Sequence, residues 1–410
     1  MGAMSKLVRF FRGLSRPKRW LAGCGLGCIT VVVLIGLLMG ANVGATYFFG
    51  AKPQEVGAEA WDGPPVLVTL KSDYTKTGFF GTGLETADVR LLQDGKLTPL
   101  VWTGTHGGEF TAVPLDHGFA LATAETITFY DWDGNITGDV DFPGIDAVKR
   151  SATTDGWYIV SSVTHSGENT DGWVDDYAFI NRTGETHIVT VSGNSSATGV
   201  CGGKRYIAAV DMDYDESTYE STRRYLNIYE VADEWKIGDP LFTVELPGDP
   251  RPLAHIFTEM APCSDEGVLT VLVSMDDAEG QSHMASANID IAGKSVAFTP
   301  LPDGYEALLP YNSLISDGDY YWLNRHGRMS SMDKHTSRVE TAWQADPLPE
   351  NSVYASTLSQ DHVVTGTSDE DTFYFTAYDA KTGKKTAHVA IPKDMGPSIR
   401  IEDIELVNPH

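Results

Sequence analysis

Between Phe373 and Pro392 the chain reads FYFTAYDAKTGKKTAHVAIP: an alternating strand, a turn at Thr382-Gly383, and a second alternating strand. Glycine supplies the positive φ that a tight hairpin needs, and the period-two alternation gives each strand an apolar face that one hairpin cannot bury alone. The same grammar occurs at 88–102, 127–142, 177–191, 225–246, 286–301 and 329–343, which makes seven copies. From Gly95 to Gly383 is 288 residues over six intervals, a mean of 48, within the period of roughly 40 to 50 residues expected of propeller blades.

A second turn signal keeps phase with the first. It stands at Asp62-Gly63, Asp116-His117-Gly118, Asp155-Gly156, Cys201-Gly202-Gly203, Asp265-Glu266-Gly267, Asp317-Gly318 and Asp361-His362, and nearly every instance precedes an apolar strand. Each repeat therefore reads as four strands, a to d, with this turn between a and b and the glycine turn between c and d. A β-sandwich is the alternative, but sandwiches do not usually keep a fixed repeat phase. The first repeat lacks a strand a, and the chain ends on an unassigned alternating stretch, 398–407. The expected fold is thus all-β: a seven-bladed propeller of four-stranded antiparallel blades over 62–410, whose C-terminal strand closes blade 1 and leaves only short protected edges.

Ahead of the repeats the sequence changes character. Residues 1–19 carry Lys6, Arg9, Arg12, Arg16, Lys18 and Arg19 and no acid, and Trp20 to Ala51 carries no charge over 32 residues. That run exceeds the ~20 apolar residues needed to cross a bilayer, and the basic end is the cytoplasmic one by the positive-inside rule. The expectation is a cytoplasmic tail at 1–19, one transmembrane helix (a signal anchor) at 20–50, a linker at 51–61, and an extracytoplasmic domain beyond. Cleavage after Val43-Gly44-Ala45 is the alternative, although the apolar part of a signal peptide usually spans only roughly 7 to 15 residues. Leu21-Ala22-Gly23-Cys24 has lipobox-like residues, but its apolar region follows the cysteine. Lys6 stands where a myristoylation signal needs Ser or Thr. Gly36, Gly40 and Gly44 recur every four residues, giving one helix face on which another membrane helix could pack closely. Cys24 and Cys28 share a face as small packing residues. Strand b of blade 1 starts on the a-b side, and residues 52–61 tether that point to the membrane by a linker reaching ~35 Å at most, so the a-b face is expected to look towards the bilayer and the b-c face away from it.

All 56 acidic residues lie beyond residue 52; removing the six basic residues of the tail from the 30 leaves 24, a formal charge of −32. Such a surface repels phosphates and excludes nucleic-acid binding as the main function. Cys201 and Cys263 occupy equivalent a-b positions in consecutive repeats, which in an oxidising compartment points to a disulfide closing a 62-residue loop, worth ~3 to 4 kcal/mol on the chain-entropy model.

Candidate binding residues lie on the b-c loops of the face opposite the a-b turns. They are Phe79 and Phe80 in blade 1, Trp173, Asp175 and Asp176 in blade 3, Asp211, Asp213 and Asp215 in blade 4, and Asp276 and Asp277 in blade 5. Asp211, Asp213 and Asp215 have the alternate spacing of a calcium loop, but Glu216 and Thr222 stand where that loop needs Gly and a bidentate Glu. A solvated acidic loop is the other reading, and no cofactor beyond calcium is indicated. Motifs for nucleophilic, zinc or phosphate chemistry are absent, and no catalytic residue is assigned. Asn135, Asn181 and Asn194 form glycosylation sequons, two of them in or beside repeat turns, where Asn also serves as a turn residue.

Ala377-Tyr378-Asp379-Ala380-Lys381-Thr382-Gly383-Lys384 resembles the A-x-D-x-x-T-G-K core of the quinoprotein-like (PQQ-like) propeller repeats, which usually continue to a tryptophan. Asp94-Gly95-Lys96 with Trp102, and Thr336 with Trp343, are looser copies. The resemblance implies the propeller, in a family that includes quinone-dependent dehydrogenases and non-catalytic scaffolds of envelope protein complexes. This chain lacks the adjacent cysteine pair seen in many of those dehydrogenases. The expected function is a membrane-anchored extracytoplasmic binding, scaffold or sensing module for a protein, peptide or glycan, attached to the bilayer by one helix. The alternative is an extracytoplasmic enzyme, a hydrolase or quinone-dependent dehydrogenase, with its centre at the propeller axis.

Overall fold

Every regular element among the described residues is a β-strand, and the strands assemble into seven consecutive antiparallel sheets. The computed structural model describes residues 54–407 except 74–84, 106–109, 124, 143–145, 153–155, 165–173, 194, 215–220, 248–255, 257–260, 277–281, 302–312, 317–318, 324–326, 334–337, 346–352 and 394–399. The described residues belong to one compact unit. The basic tail, the apolar run with Gly36, Gly40 and Gly44, and the sequon at Asn194 lie outside the described residues. Among the described residues no helix is long and apolar enough to cross a membrane.

Blade 1 takes strand a from the end of the chain, Arg400–Leu406, and continues with Val66–Asp73, Glu85–Gln93 and Lys96–Thr105 as strands b, c and d. Blade 2 is built from Thr111–Leu115, Gly118–Ala122, Thr126–Asp131 and Ile136–Asp141. Blade 3 follows with Asp146–Ala152, Trp157–Thr164, Val174–Asn181 and Thr186–Ser192, and blade 4 with Ser195–Cys201, Lys204–Tyr214, Ser221–Val231 and Phe242–Glu245. Blade 5 has Val268–Asp276, Ser282–Asp290 and Ser295–Pro300 as strands b to d. Blade 6 comprises Ser313–Ser316, Asp319–Leu323, Arg328–Met332 and Val339–Gln344, and blade 7 comprises Val353–Leu358, His362–Ser368, Thr372–Asp379 and Lys385–Pro392.

Period-two alternation sends alternate side chains to opposite faces of each sheet, and here both faces are covered. In strand b of blade 1, Val66, Val68 and Leu70 pack with Val364, Phe373 and Phe375 of blade 7, while Leu67 packs with Phe119 and Leu121 of blade 2. Further clusters join blades 2 and 3, 3 and 4, 4 and 5, 5 and 6, and 6 and 7. Seven apolar seams thus complete a ring. The seam between blades 7 and 1 includes Ile401, Ile404 and Leu406 from the terminal strand, each almost fully buried. Polar bonds between innermost strands flank it: Thr357 Oγ1 donates to Glu405 at 3.1 Å, and Thr111 Oγ1 donates to Asp403.

The c-d turns explain the glycine phase. Asp131, Asn181, Asp290 and Asp379 each accept backbone N–H bonds from their own turns, the Asx geometry that favours these residues there. Asn135 and Asn181, the two described sequon residues, donate within these turns to Asp131 and Glu185. The turns at Gly134, Gly184 and Gly383 also lean on the preceding blade. A Cβ on Gly134 (φ +80°) would meet the Leu100 carbonyl oxygen at 2.3 Å, and one on Gly383 (φ +66°) would meet the Trp343 ring at 2.6 Å. The Trp343 indole N–H donates to Ala380 O at 2.8 Å, fixing the ring over that turn.

Two features depart from expectation. Among the described residues blade 5 has three regular strands, and isolated bridges join Ile256 to Val273 and Cys263 to Leu269 at the place of strand a. Secondly, the described part of the expected linker lies along the outer edge of blade 1. Val56–Gly57 pairs with Lys96 and Leu97, and Ala58 N donates to Gly95 O at 2.7 Å. Buried Arg90 binds Asp88 at 2.7 Å and donates to Gln54 O at 3.0 Å. Orienting the a-b face towards a bilayer needed a free tether through residue 61, so that argument does not carry over. The disulfide between Cys201 and Cys263 is formed, with Cα atoms 5.4 Å apart.

Gly383→Ala adds a methyl group against the Trp343 ring at positive φ and is expected to lower unfolding free energy by about 2 to 4 kcal/mol, summing left-handed strain with overpacking. Gly267 also has positive φ (+82°) but open space around a Cβ, so Gly267→Ala should cost only about 1 to 2 kcal/mol. Urea denaturation of both variants, and of Gly383→Ala with Trp343→Ala, measures the difference; equal losses for the two alanines would contradict the docking of turn on indole.

Candidate functional site

Three of the candidate residues, Asp175, Asp211 and Asp213, lie at one end of the seam between blades 3 and 4, on the face opposite the tight turns. Asp175 and Asp176 open strand c of blade 3, both about 5% exposed. Adjacent residues in a strand point to opposite faces. Asp175 shares its face with Tyr177 and Phe179, which pack in the blade 3 and 4 seam, whereas Asp176 shares the face of Ala178 and Ile180, turned to blade 2.

Asp211 and Asp213 sit in a strand and not in the expected loop, because strands b and c of blade 4 are long and pair Asp211 with Tyr225 and Asp213 with Arg223. Their face is that of Ile207 and Ala209, which turn to blade 3. Asp175 and Asp211 therefore approach the head of one seam from its two sides. Asp215, Phe79, Phe80, Trp173 and Asp277 lie outside the described residues. Asp276 closes strand b of blade 5, paired with Ser282.

Tyrosines occupy the positions between these carboxylates, and sequence reading overlooked them. Tyr177 donates to Asp175 at 3.2 Å, Tyr225 donates to Asp213 at 2.7 Å, and the Tyr229 hydroxyl reaches Ser192 O at 3.4 Å. The available signal was spacing: Asp175 with Tyr177, and Tyr225 with Tyr229, keep one face of their strands. Burial, then the charges of Asp175 and Asp176, hold the Tyr177 phenol well above its ordinary range. Burial, then the Asp211 charge, raises Tyr229. Both hydroxyls thus remain neutral donors at physiological pH. Burial pushes the Asp176 carboxyl up against the lowering effect of the Thr190 hydrogen bond, and burial raises Asp211 against a backbone bond from Met212.

The opposite end of the same seam is aromatic. The Arg205 guanidinium lies 4.5 Å from the Trp235 ring centroid and 5.4 Å from that of Trp157, and His187 stacks on Trp235 at 4.3 Å. Cation–π attraction and stacking close this end with the chain's own arginine. The head thus offers carboxylates and neutral hydroxyls, groups suited to hydrogen bonding with hydroxyl or amine ligands. Among the described residues no group of three His, Cys, Asp or Glu side chains gathers in metal-binding geometry; Asp211 and Asp213 belong to a paired strand, unlike the loop that a calcium motif requires.

A carboxyl whose folded pKa is raised by burial adds stability that is fully present below its ordinary value of 3.8 and is lost as pH rises through the folded value. Asp211→Asn keeps the acceptor and removes that loss. The variant should therefore unfold at a higher urea midpoint than wild type at pH 7, with the difference vanishing near pH 3.8. A lower midpoint for the variant at pH 7, or a pH-independent difference, would contradict the burial of this charge.

No protein-family model matches the chain, and no curated protein is similar to it in sequence. Solved structures resemble it. A mutant of the Synechocystis apocarotenoid oxygenase aligns over 86% of this chain and 94% of its own, with 9% identity and a TM-score of 0.51. TolB from Acinetobacter baumannii aligns over 88% and 69% with 10% identity and a TM-score of 0.37. The dihydro-heme d1 dehydrogenase NirN aligns over 88% and 84% with 11% identity and a TM-score of 0.39. At 9% identity the likeness to the oxygenase is one of fold alone.

Proposed function

We propose that this chain is a membrane-anchored recognition module: a propeller held outside the cytoplasm by the apolar helix of residues 20–50, binding a protein, peptide or glycan on the face built from the b-c loops. The observation that carries this reading is the inequality of the two faces. On the a-b and c-d side the connections are mostly short, many of them tied by Asx bonds and packed on the neighbouring blade. On the other side, blades 1, 3 and 4 insert the longer segments 74–84, 165–173 and 215–220 between strands b and c. Variable connections on a rigid scaffold are where binding surfaces are usually grafted.

The chemistry at the head of the blade 3 and 4 seam supports recognition over reaction. Its carboxylates Asp175 and Asp213 are engaged with tyrosine hydroxyls, an arrangement that orients donors and acceptors without supplying a nucleophile next to a base. The Trp343 ring over the Gly383 turn supports the quinoprotein-like repeat reading. That reading extends to the non-catalytic members of the family, and Gly36, Gly40 and Gly44 offer the helix a face for a membrane partner.

Purification of the full-length chain in mild detergent from its native membrane tests the proposal. A partner should co-purify stoichiometrically, and replacing 165–173 by a Gly-Ser linker of equal length should reduce its retention at least about tenfold, as for loss of a binding hot spot. A lone monomer in both preparations would contradict recognition. Uptake of a quinone by the purified chain would instead favour the enzyme reading.

A further inference from the structure

The seam that closes the ring has a second fastening on its outer rim. In three other blades the glycine of the c-d turn sits against the blade before it: a Cβ on Gly134 would meet Leu100 of blade 1, one on Gly184 would meet Leu115 and Phe129 of blade 2, and one on Gly383 would meet Trp343 of blade 6. Gly95 is the equivalent glycine of blade 1 (φ +71°). The atoms nearest to its Cβ position belong to a strap, residues 54–61: Glu59 Cα at 3.4 Å and Ala58 O at 3.7 Å. The strap also enters the seam itself. Ala58 and Trp61, 1% and 3% exposed, share an apolar cluster with Leu92 and Leu97 of blade 1 and with Ala387 and Val389 in the outermost strand of blade 7. Gly63 keeps the Trp61 ring close to blade 7, since a Cβ there would lie 2.7 Å from the indole and 3.1 Å from Ala387 Cβ. The indole N–H donates to Pro64 O at 3.2 Å.

We propose that residues 54–61 are a clasp wedged into the outer rim of the seam between blades 7 and 1, and that drawing it off opens this seam while the others stay shut. The terminal strand fastens the same two blades on the inside, through Ile401, Ile404 and Leu406, so the clasp governs the rim and not the axis. Its hold on blade 1 is polar as well as apolar. Val56 and Gly57 pair with Leu97 and Lys96, and Glu55 accepts from Lys96 Nζ at 3.0 Å and from Thr98 Oγ1 at 3.2 Å. The fully buried Arg90, paired with Asp88, donates to Gln54 O at 3.0 Å. Withdrawal therefore uncovers apolar side chains of both blades and lets water reach a buried ion pair. A short strap at the edge of a sheet can leave at a lower free energy than global unfolding requires. It directly follows the uncharged run, so whatever draws on the chain ahead of Gln54 acts first on this rim. Cleavage after Ala45 would leave the strap in place, and the inference therefore stands apart from the membrane reading.

Hydrogen exchange of the full-length chain in detergent tests the clasp by comparing wild type with two variants. Trp61→Ala removes the wedge, and Val56→Pro puts a residue without an N–H into the strap's ladder. In both, peptides covering 88–97 of blade 1 and 385–391 of blade 7 should exchange at least about tenfold faster, while 174–181 of blade 3 changes by less than about twofold, the pattern of sub-global opening. Unchanged exchange at 385–391 would overturn the proposal, because the strap would then belong to blade 1 alone. An equal loss in every blade would also overturn it, since the strap would then act on the whole domain and not on one seam.

Discussion

The structure depends on the burial of both faces of every blade against its neighbours. A four-stranded antiparallel sheet whose strands are apolar on alternate residues of both faces cannot be stable in water alone, and stacking it in an open row would leave the two end faces wet. Closing the row into a ring removes both at once. Here the seam between blades 7 and 1 decides the matter, because blade 1 is assembled from opposite ends of the chain: Arg400–Leu406 lies hydrogen-bonded beside Val66–Asp73. Ile401, Ile404 and Leu406 are each 2% exposed or less, and fully burying an aliphatic side chain stabilises by roughly 1.5 to 3 kcal/mol. Three of them contribute several kcal/mol, a large share of the roughly 5 to 15 kcal/mol net stability of a folded protein.

The repeat was legible because its punctuation is physical. Gly95, Gly134, Gly184 and Gly383 all take positive φ, and at Gly134 and Gly383 a neighbouring blade leaves no room for a Cβ. Such positions leave little choice but glycine, so the glycine phase is visible in the sequence. The disulfide was legible for the same reason, since equal positions in adjacent blades lie on one face of the ring. The terminal strand could be assigned because the first repeat lacked one.

What stayed hidden has equally physical causes. Val56–Gly57 is too short to show a period, and its place is fixed by tertiary contacts: the Arg90 bond to Gln54 and the Gly95 bond to Ala58. Asp211 and Asp213 looked like loop residues because acidic side chains are rare in strands. They belong to one because Tyr225 shields Asp213 by hydrogen bonding, and because Asp211 lies at a partly buried head where a raised pKa is the cost of its position. The candidate site was therefore legible as a set of carboxylates and invisible as a seam: nothing in the order of residues says that Asp175 and Asp211 approach from adjoining blades, and the intervening tyrosines emerge only once strand faces are known.

The ring account is tested most directly by a chain that ends at residue 399. Without the terminal strand, blade 1 loses its inner edge and its seam with blade 7, and the account predicts no cooperative thermal transition, with early exchange of blades 1 and 7. A shortened chain that melts as sharply as the full one, at the same temperature, would show that closure is not what holds the domain together.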